Sequence, residues 1–215
     1  ALTKEAFIKE VLTGLVAPPI YFPKNVMMNI KGYDSIDNVL TRGTQALLPD
    51  AFEAAANETG AIIIDTRAPK DFALGFIPNS INIGIDGSFA VWVGTLITDI
   101  KHKILLVTEE GREEEAITRL ARVGYDFCIG YLEGGFNAWQ NAGKQVDCIE
   151  SVTANELADK MAQNSIHIID VRKKSEYDSE HILEAVNAPL DFINDSMTKV
   201  NKNETAYIHC AGGYR

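Results

Sequence analysis

Residues 62–67 read Ile-Ile-Ile-Asp-Thr-Arg, and residues 167–172 read His-Ile-Ile-Asp-Val-Arg. Both hexapeptides end on Asp-x-Arg, and Asp170 follows Asp65 by 105 residues. The register holds outward from there. Phe72 matches Tyr177, Ile77 matches Ile182, Ser80 matches Ala185, and Asn82 recurs as Asn187. One offset kept over about twenty positions marks an internal repeat. Each hexapeptide belongs to a short β-branched run, Ile62 to Ile64 and Ile166 to Ile169, apolar without alternation. Such a run predicts a parallel strand covered on both faces.

Each copy begins with a helix. In the second, Thr153-Ala154-Asn155-Glu156 has the form of a capping box, with Thr153 as N-cap. Leu157, Ala158 and Met161 then share one face. In the first, Pro49 sits in the first turn, Phe52 and Ala56 hold the places of Leu157 and Met161, and Gly60 supplies a C-cap. A second apolar strand follows in each copy, Ile104 to Val107 and Tyr207 to His209. The first copy continues with a helical stretch from Glu113 to Val123, which Gly124 ends. Ala116, Ile117, Leu120 and Val123 form its apolar side. Cys128 to Leu132 reads as another strand, followed by Glu133-Gly134-Gly135-Phe136 and Trp139. Alternating strands and helices define an α/β fold with a mainly parallel sheet in each copy. The copies meet near residues 143–151, where Gly143-Lys144-Gln145 breaks the pattern.

A chain of 215 residues has room for one large or two small domains. With 46% hydrophobic and 23% charged residues, its composition is that of an ordinary soluble protein. A net charge of −10 argues against a general nucleic-acid or anionic-membrane binder, since both need basic patches. No apolar run reaches the roughly 18 residues of a membrane span. Ala1-Leu2-Thr3-Lys4-Glu5 lacks the layout of a signal peptide, and three scattered cysteines form no disulfide framework, so a reducing, cytoplasmic setting is expected. Four dispersed histidines without spaced acidic partners predict no metal site and no cofactor in this chain. Residues 1–33 belong to neither copy. Thr3 to Leu12 predicts a short amphipathic helix with Phe7, Ile8, Val11 and Leu12 on one side. Pro18-Pro19, Pro23 and Gly32 predict extended, irregular chain after it. So short a segment buries no core alone and is expected to dock on the repeats or on an upstream domain.

The chemistry concentrates in Cys210-Ala211-Gly212-Gly213-Tyr214-Arg215, which leaves the apolar run Ala206-Tyr207-Ile208. A cysteine at a strand end, two glycines and a closing arginine form an anion-cradling loop with a thiolate at its base. Gly212 and Gly213 let the backbone curl with its amides inward, and Arg215 adds a permanent positive charge. Such a loop should feed a helix, whose N-terminus would also favour an anion. The sequence stops at Arg215, so the second copy reads as cut short.

With these motifs and the Leu132-Glu133-Gly134-Gly135…Trp139 segment, residues 34–215 resemble a tandem pair of rhodanese-like domains. The resemblance implies domains at 34–147 and 148–215. The second carries Glu176-Tyr177, His181-Ile182, Ala185-Val186-Asn187 and the cysteine loop, with Glu180 where the family usually has glycine. It implies a sulfurtransferase. Cys210 would take sulfur from a small donor as a persulfide and pass it to a thiol or cyanide-like acceptor, with Arg215 as its catalytic partner. Ala211, Gly212, Gly213 and Tyr214 would line the substrate site. Pro18-Pro19-Ile20-Tyr21-Phe22 and Asn29-Ile30-Lys31-Gly32 are similar to the tail after a metallo-β-lactamase-fold domain in proteins that fuse that fold to rhodanese domains. On that likeness residues 1–33 are a linker or tail. An iron or zinc ion is implied only for the upstream domain, and homo-oligomerisation is possible.

Two rival readings remain. Cysteine phosphatases also close a loop with arginine, but theirs places five residues between the two, and here four separate Cys210 from Arg215. A non-catalytic assembly module is the other rival, and the first copy favours it. Its loop, Val107-Thr108-Glu109-Glu110-Gly111-Arg112, has no cysteine, and Glu113, Glu114 and Glu115 follow. Those carboxylates suit a helix N-terminus but repel an anionic donor, so the first copy is expected to be silent. Cys128 reads as core, Cys148 as a linker residue and His102 as surface. His181 reads as a packed or capping histidine, and His209 as pointing away from the cysteine face. Asp65, Arg67, Asp170 and Arg172 are expected to orient loops. Trp92, Trp139, Phe89 and Phe136 read as core or inter-domain contacts.

Overall fold

The β-branched hexapeptides form the centres of two separate parallel sheets. The structure is a computed structural model that describes residues 2–13, 21–164, 166–201 and 203–214. The first sheet runs β1-β5-β4-β2-β3. Its strands are β1 (Ala46–Leu47), β2 (Ile62–Asp65), β3 (Ile81–Asn82), β4 (Ile104–Val107) and β5 (Cys128–Leu132), and every pairing is parallel. The second runs β7-β6-β8, with β6 (His167–Asp170), β7 (Val186–Asn187) and β8 (Ala206–His209), again all parallel.

Helices cover both faces of the first sheet. They are α3 (Ile36–Gly43), α4 (Pro49–Thr59), α5 (Pro69–Leu74), α6 (Phe89–Leu96), α7 (Glu113–Ala121) and α8 (Gly135–Asn141). Strand alternation divides the burial. Ile64, Ile104 and Leu106 pack with Val39 of α3, Phe89 and Val93 of α6, and Ile117 and Leu120 of α7. Ile63, Leu105 and Val107 pack with Phe52 of α4 and with Phe136 and Trp139 of α8. The four residues of β4 are all fully buried, as expected for an unalternating apolar run in a covered parallel strand. Pro49 opens α4, and Gly60 closes it in the left-handed region at φ +65°. Gly124 at φ +86° follows α7.

In the second repeat α9 (Ala154–Gln163) starts with the expected capping box: Thr153 accepts from the Glu156 amide, and the Glu156 carboxylate accepts from the Thr153 amide. Its apolar face is shallower than expected. Leu157 and Met161 are half-buried and Ala158 is exposed. The core of this sheet is small, Ile169, Val171 and Ala188 with partly buried neighbours. α10 (Lys174–Ser179) follows β6, and α11 (Ile193–Ser196), flanked by short 3₁₀ turns, precedes β8.

The N-terminal segment differs from its sequence reading. α1 (Lys4–Leu12) forms with Thr3 as N-cap. Residues expected to be irregular instead form α2 (Phe22–Lys31). Pro23 lies in its first turn, where proline has no hydrogen bond to lose, and Gly32 at φ +88° stops it. Pro18 and Pro19 lie outside the described residues. The segment docks on the first repeat through Tyr21, which is buried and stacks over Gly94 of α6, where any side chain would collide with it. Lys24 Nζ donates to the Thr98 carbonyl at 2.5 Å. Phe7, Ile8, Val11 and Leu12 of α1 remain exposed. No helix of the described residues is long and apolar enough to cross a membrane.

The stretch after α8 returns to the first sheet's helices. Trp139 Nε1 donates to the Gln145 carbonyl at 2.8 Å. Phe76 and Asp147 form an antiparallel bridge, and the Ile149 amide reaches the Ala73 carbonyl at 2.8 Å.

Candidate active site

The site begins at the paired ends of β6 and β8. Asp170 stands opposite His209 in the ladder, so Cys210 emerges beside the Asp170-Val171-Arg172 corner. The Val171 amide donates to the His209 carbonyl at 3.1 Å, extending the ladder past the strand. Cys210 is half-buried, one side against the Ile169, Val171 and Ala188 cluster. Its loop then turns back. Gly213, at φ +77°, aims its amide at the Cys210 sulfur, 3.1 Å away. This is the geometry an anionic sulfur needs: a backbone dipole pointed at it by a residue without a Cβ. Ala211 and Gly212 are exposed beside it. The Tyr214 hydroxyl donates to the Gly84 carbonyl of the first repeat at 2.8 Å. Arg215 lies outside the described residues.

Both corners are braced by the same lattice. Arg67 grips Asp65 with Nε and Nη2 (Nη2 to Oδ2 2.6 Å) and donates to the Gly75 carbonyl at 2.9 Å. Arg172 grips Asp170 in the same way (2.7 Å) and donates to the Glu180 carbonyl at 2.7 Å. Asn82 donates to the carbonyls of Asp65 and Arg67, and Asn187 to those of Asp170 and Arg172. The Asp-x-Arg residues thus orient their loops, as the sequence predicts. Glu180 accepts the arginine's hydrogen bond as Gly75 does, and both have extended backbone (φ −162° and 174°). Glycine at Gly75 instead leaves room for Phe136, 3.2 Å from where a Cβ would sit.

The two aspartates are shifted in opposite directions. For Asp170, burial pushes the carboxyl up, but the Arg172 hydrogen bonds and the charge of His209 outweigh it, so the group sits below its ordinary value. For Asp65, burial wins over Arg67 and the carboxyl sits above it. The deeper enclosure comes from α8, whose Phe136 ring lies 4.1 Å from the Arg67 guanidinium. His209 Nε2 lies 3.6 Å from Asp170 Oδ2. His181 stacks on Tyr177 at 3.8 Å, in the register where Phe76 stacks on Phe72 at 4.3 Å. His102 is half-buried rather than a plain surface residue, with a ring nitrogen 3.1 Å from the Gly60 carbonyl.

The first repeat's loop occupies the equivalent place with different contents. The ladder pairs Asp65 with Val107 and Asp170 with His209, so Thr108 holds the place of Cys210. The repeat offset has dropped from 105 to 102 by this point, which hides the equivalence from a search in one register. Gly111 at φ +83° answers Gly213. Its amide, however, donates to the Glu113 carboxylate at 3.2 Å, so the chain's own anion fills the cradle. Arg112 is engaged by Asp86 (2.7 Å) and Glu115 (2.9 Å), which hold its guanidinium above its ordinary range. Thr108 is buried, and its hydroxyl has no hydrogen-bond partner among the described residues. Cys128 is fully buried in β5, where burial pushes its thiol up to about 12. Cys148 is exposed in the connecting stretch. Phe89, Phe136 and Trp139 are core residues, and Trp92 packs at the core's edge.

The family model of the rhodanese-like domain matches residues 48–142 and 153–215, and the chain belongs to that family. YrkF of Bacillus subtilis (strain 168), whose name proposes sulfur carriage, is 30% identical over 84 residues. The match covers 39% of this chain and 43% of that protein, so the chain spans less than half the length of this curated relative. Among solved structures, thiosulfate sulfurtransferase from Pseudomonas aeruginosa is 18% identical with a TM-score of 0.43, covering 83% of this chain and 41% of that one. The 3-mercaptopyruvate sulfotransferase SseA from Escherichia coli is 16% identical with a TM-score of 0.43, covering 80% and 89%.

Proposed function

We propose that this chain is a sulfurtransferase module in which Cys210 accepts sulfane sulfur and hands it on. The observation that carries the proposal is the Gly213 amide aimed at the Cys210 sulfur, at the end of a parallel strand. A thiolate there attacks the outer sulfur of a donor. The new S–S bond forms as the donor's bond to that sulfur breaks, and the leaving group departs with the electron pair, as sulfite does from thiosulfate. The resulting persulfide is again an anion in the same cradle. A thiol or cyanide then attacks the terminal sulfur and returns the thiolate. Arg215 supplies fixed positive charge toward the donor's anionic end, and Ala211 to Tyr214 border the donor. The first repeat, its cradle filled by Glu113, takes no sulfur. The likeness of residues 18–22 and 29–32 to a metallo-hydrolase tail supports reading the module as part of a metallo-β-lactamase-fold/rhodanese protein, and a His-x-His-x-Asp-His motif encoded upstream would test it.

The test is mass spectrometry of the chain and of Cys210→Ser after treatment with thiosulfate or a low-molecular-weight persulfide. One added sulfur is expected on Cys210, released on adding cyanide, with none in the variant. Undiminished transfer by Cys210→Ser would overturn the reading.

A further inference from the structure

A Cβ built at Gly212 or Gly213, in the turn of the Cys210 loop, meets no atom of the described residues within 4 Å. The loop is therefore held at its two ends, by Cys210 against its own sheet and by Tyr214 against the first repeat. The Tyr214 ring lies in a notch between Gly84 and Gly87, and its hydroxyl donates to the Gly84 carbonyl. A Cβ at Gly84 would come within 3.3 Å of the ring, and one at Gly87 would overlap it. Neither glycine has a positive φ, so it is the ring rather than the backbone that requires them. Asp86, between the two, is fixed by Arg112 with two hydrogen bonds of 2.7 and 3.0 Å. Arg112, which holds the register position of Tyr214 in the first repeat, thus braces the notch.

We propose that Tyr214 is a positioning residue whose docking in the Gly84–Gly87 notch keeps the Gly213 amide aimed at the Cys210 sulfur. The first repeat, which has no nucleophile, thereby completes the anion cradle of the second. The inference rests on the reading of Cys210 as the sulfur-accepting nucleophile. The hydroxyl's bond and the ring's seat restrain one end of a glycine pair that is otherwise free, and losing them returns that entropy to the loop.

The experiment compares the whole chain with Gly87→Ala, Tyr214→Ala, Tyr214→Phe and the Gly87→Ala/Tyr214→Ala double variant. Amide hydrogen exchange of the 211–214 segment is the first readout and needs no activity. Gly87→Ala and Tyr214→Ala are expected to speed that exchange roughly tenfold, the worth of about one hydrogen bond, with Tyr214→Phe in between. The second readout is sulfur transfer, where kcat should fall by more than the donor's KM rises, because the latch acts chiefly on the thiol. The double variant should be no worse than Tyr214→Ala, since the three atoms nearest the new methyl all belong to the ring that Tyr214→Ala removes. Unchanged exchange in the single variants, or additive losses in the double, overturns the latch. If exchange behaves as expected and Cys210 gains no sulfur, the nucleophile reading fails and the latch stands.

Discussion

Thr108 and Cys210 each stand one residue past a strand that pairs with an Asp-x-Arg strand, and a single side chain separates a filled cradle from an open one. Thr108→Cys alone is expected to gain no persulfide, because Glu113 still holds the Gly111 amide. Adding Glu113→Arg, the residue type in the register of Arg215, should let the new thiol take sulfur, read by mass spectrometry in a Cys210→Ser background. Glu180 gives a second residue-level outcome. Its backbone is extended and its carbonyl holds Arg172. Glu180→Gly should therefore leave activity unchanged and cost about 0.5–1 kcal/mol through the freedom it adds to the unfolded chain, measured by denaturant unfolding. The two aspartates respond to acid in opposite ways. Asp170, held below the ordinary carboxyl value of 3.8, contributes stability that is complete above that pH and fades as pH falls beneath it. Asp65, held above the same value, takes up its proton in the folded state first, so acid does not weaken its corner. Hydrogen exchange recorded from pH 7 down to about pH 3 should show residues 170–172 loosening before residues 65–67.

At the scale of elements, the strands were the most legible part of the sequence. β2, β4, β6 and β8 are unalternating apolar runs, and the parallel ladder follows from the helices between them. The caps of α4 and α9 were equally plain, because proline, glycine and Thr-x-x-Glu act locally. Thr153→Ala is expected to cost about 1 kcal/mol by removing the N-cap acceptor, again read by denaturant unfolding. α2 was hidden because Pro23 reads as a breaker unless the turn it opens is known. The seat of Tyr21 over Gly94 that fixes the helix is a tertiary fact. Cys210 and its glycines could be picked out by chemistry alone. Thr108 could not, because the offset shifts between the two strands of each repeat. The Gly84–Gly87 notch also left no sequence signal, since its meaning lies in a ring arriving from 130 residues away.

For the whole molecule, burial is unequal. The first sheet is covered on both faces, while β8 has no fully buried residue and Ile208 is 64% exposed. Native-state hydrogen exchange should place Leu105 and Leu106 among the slowest amides, with Tyr207 and Ile208 at least about tenfold faster. Phe52→Ala should lower the first sheet's stability by about 3–5 kcal/mol, the usual cost of an emptied aromatic site. The asparagine brace carries a different liability. Asn82 and Asn187 each point one amide nitrogen at two carbonyl oxygens. Deamidation, the slow loss of that nitrogen as a protein ages, would set a carboxylate against both carbonyls in place of a donor. The molecule therefore carries the same chemical clock twice, one at each Asp-x-Arg corner, and the one at Asn187 sits in the corner beside which Cys210 emerges.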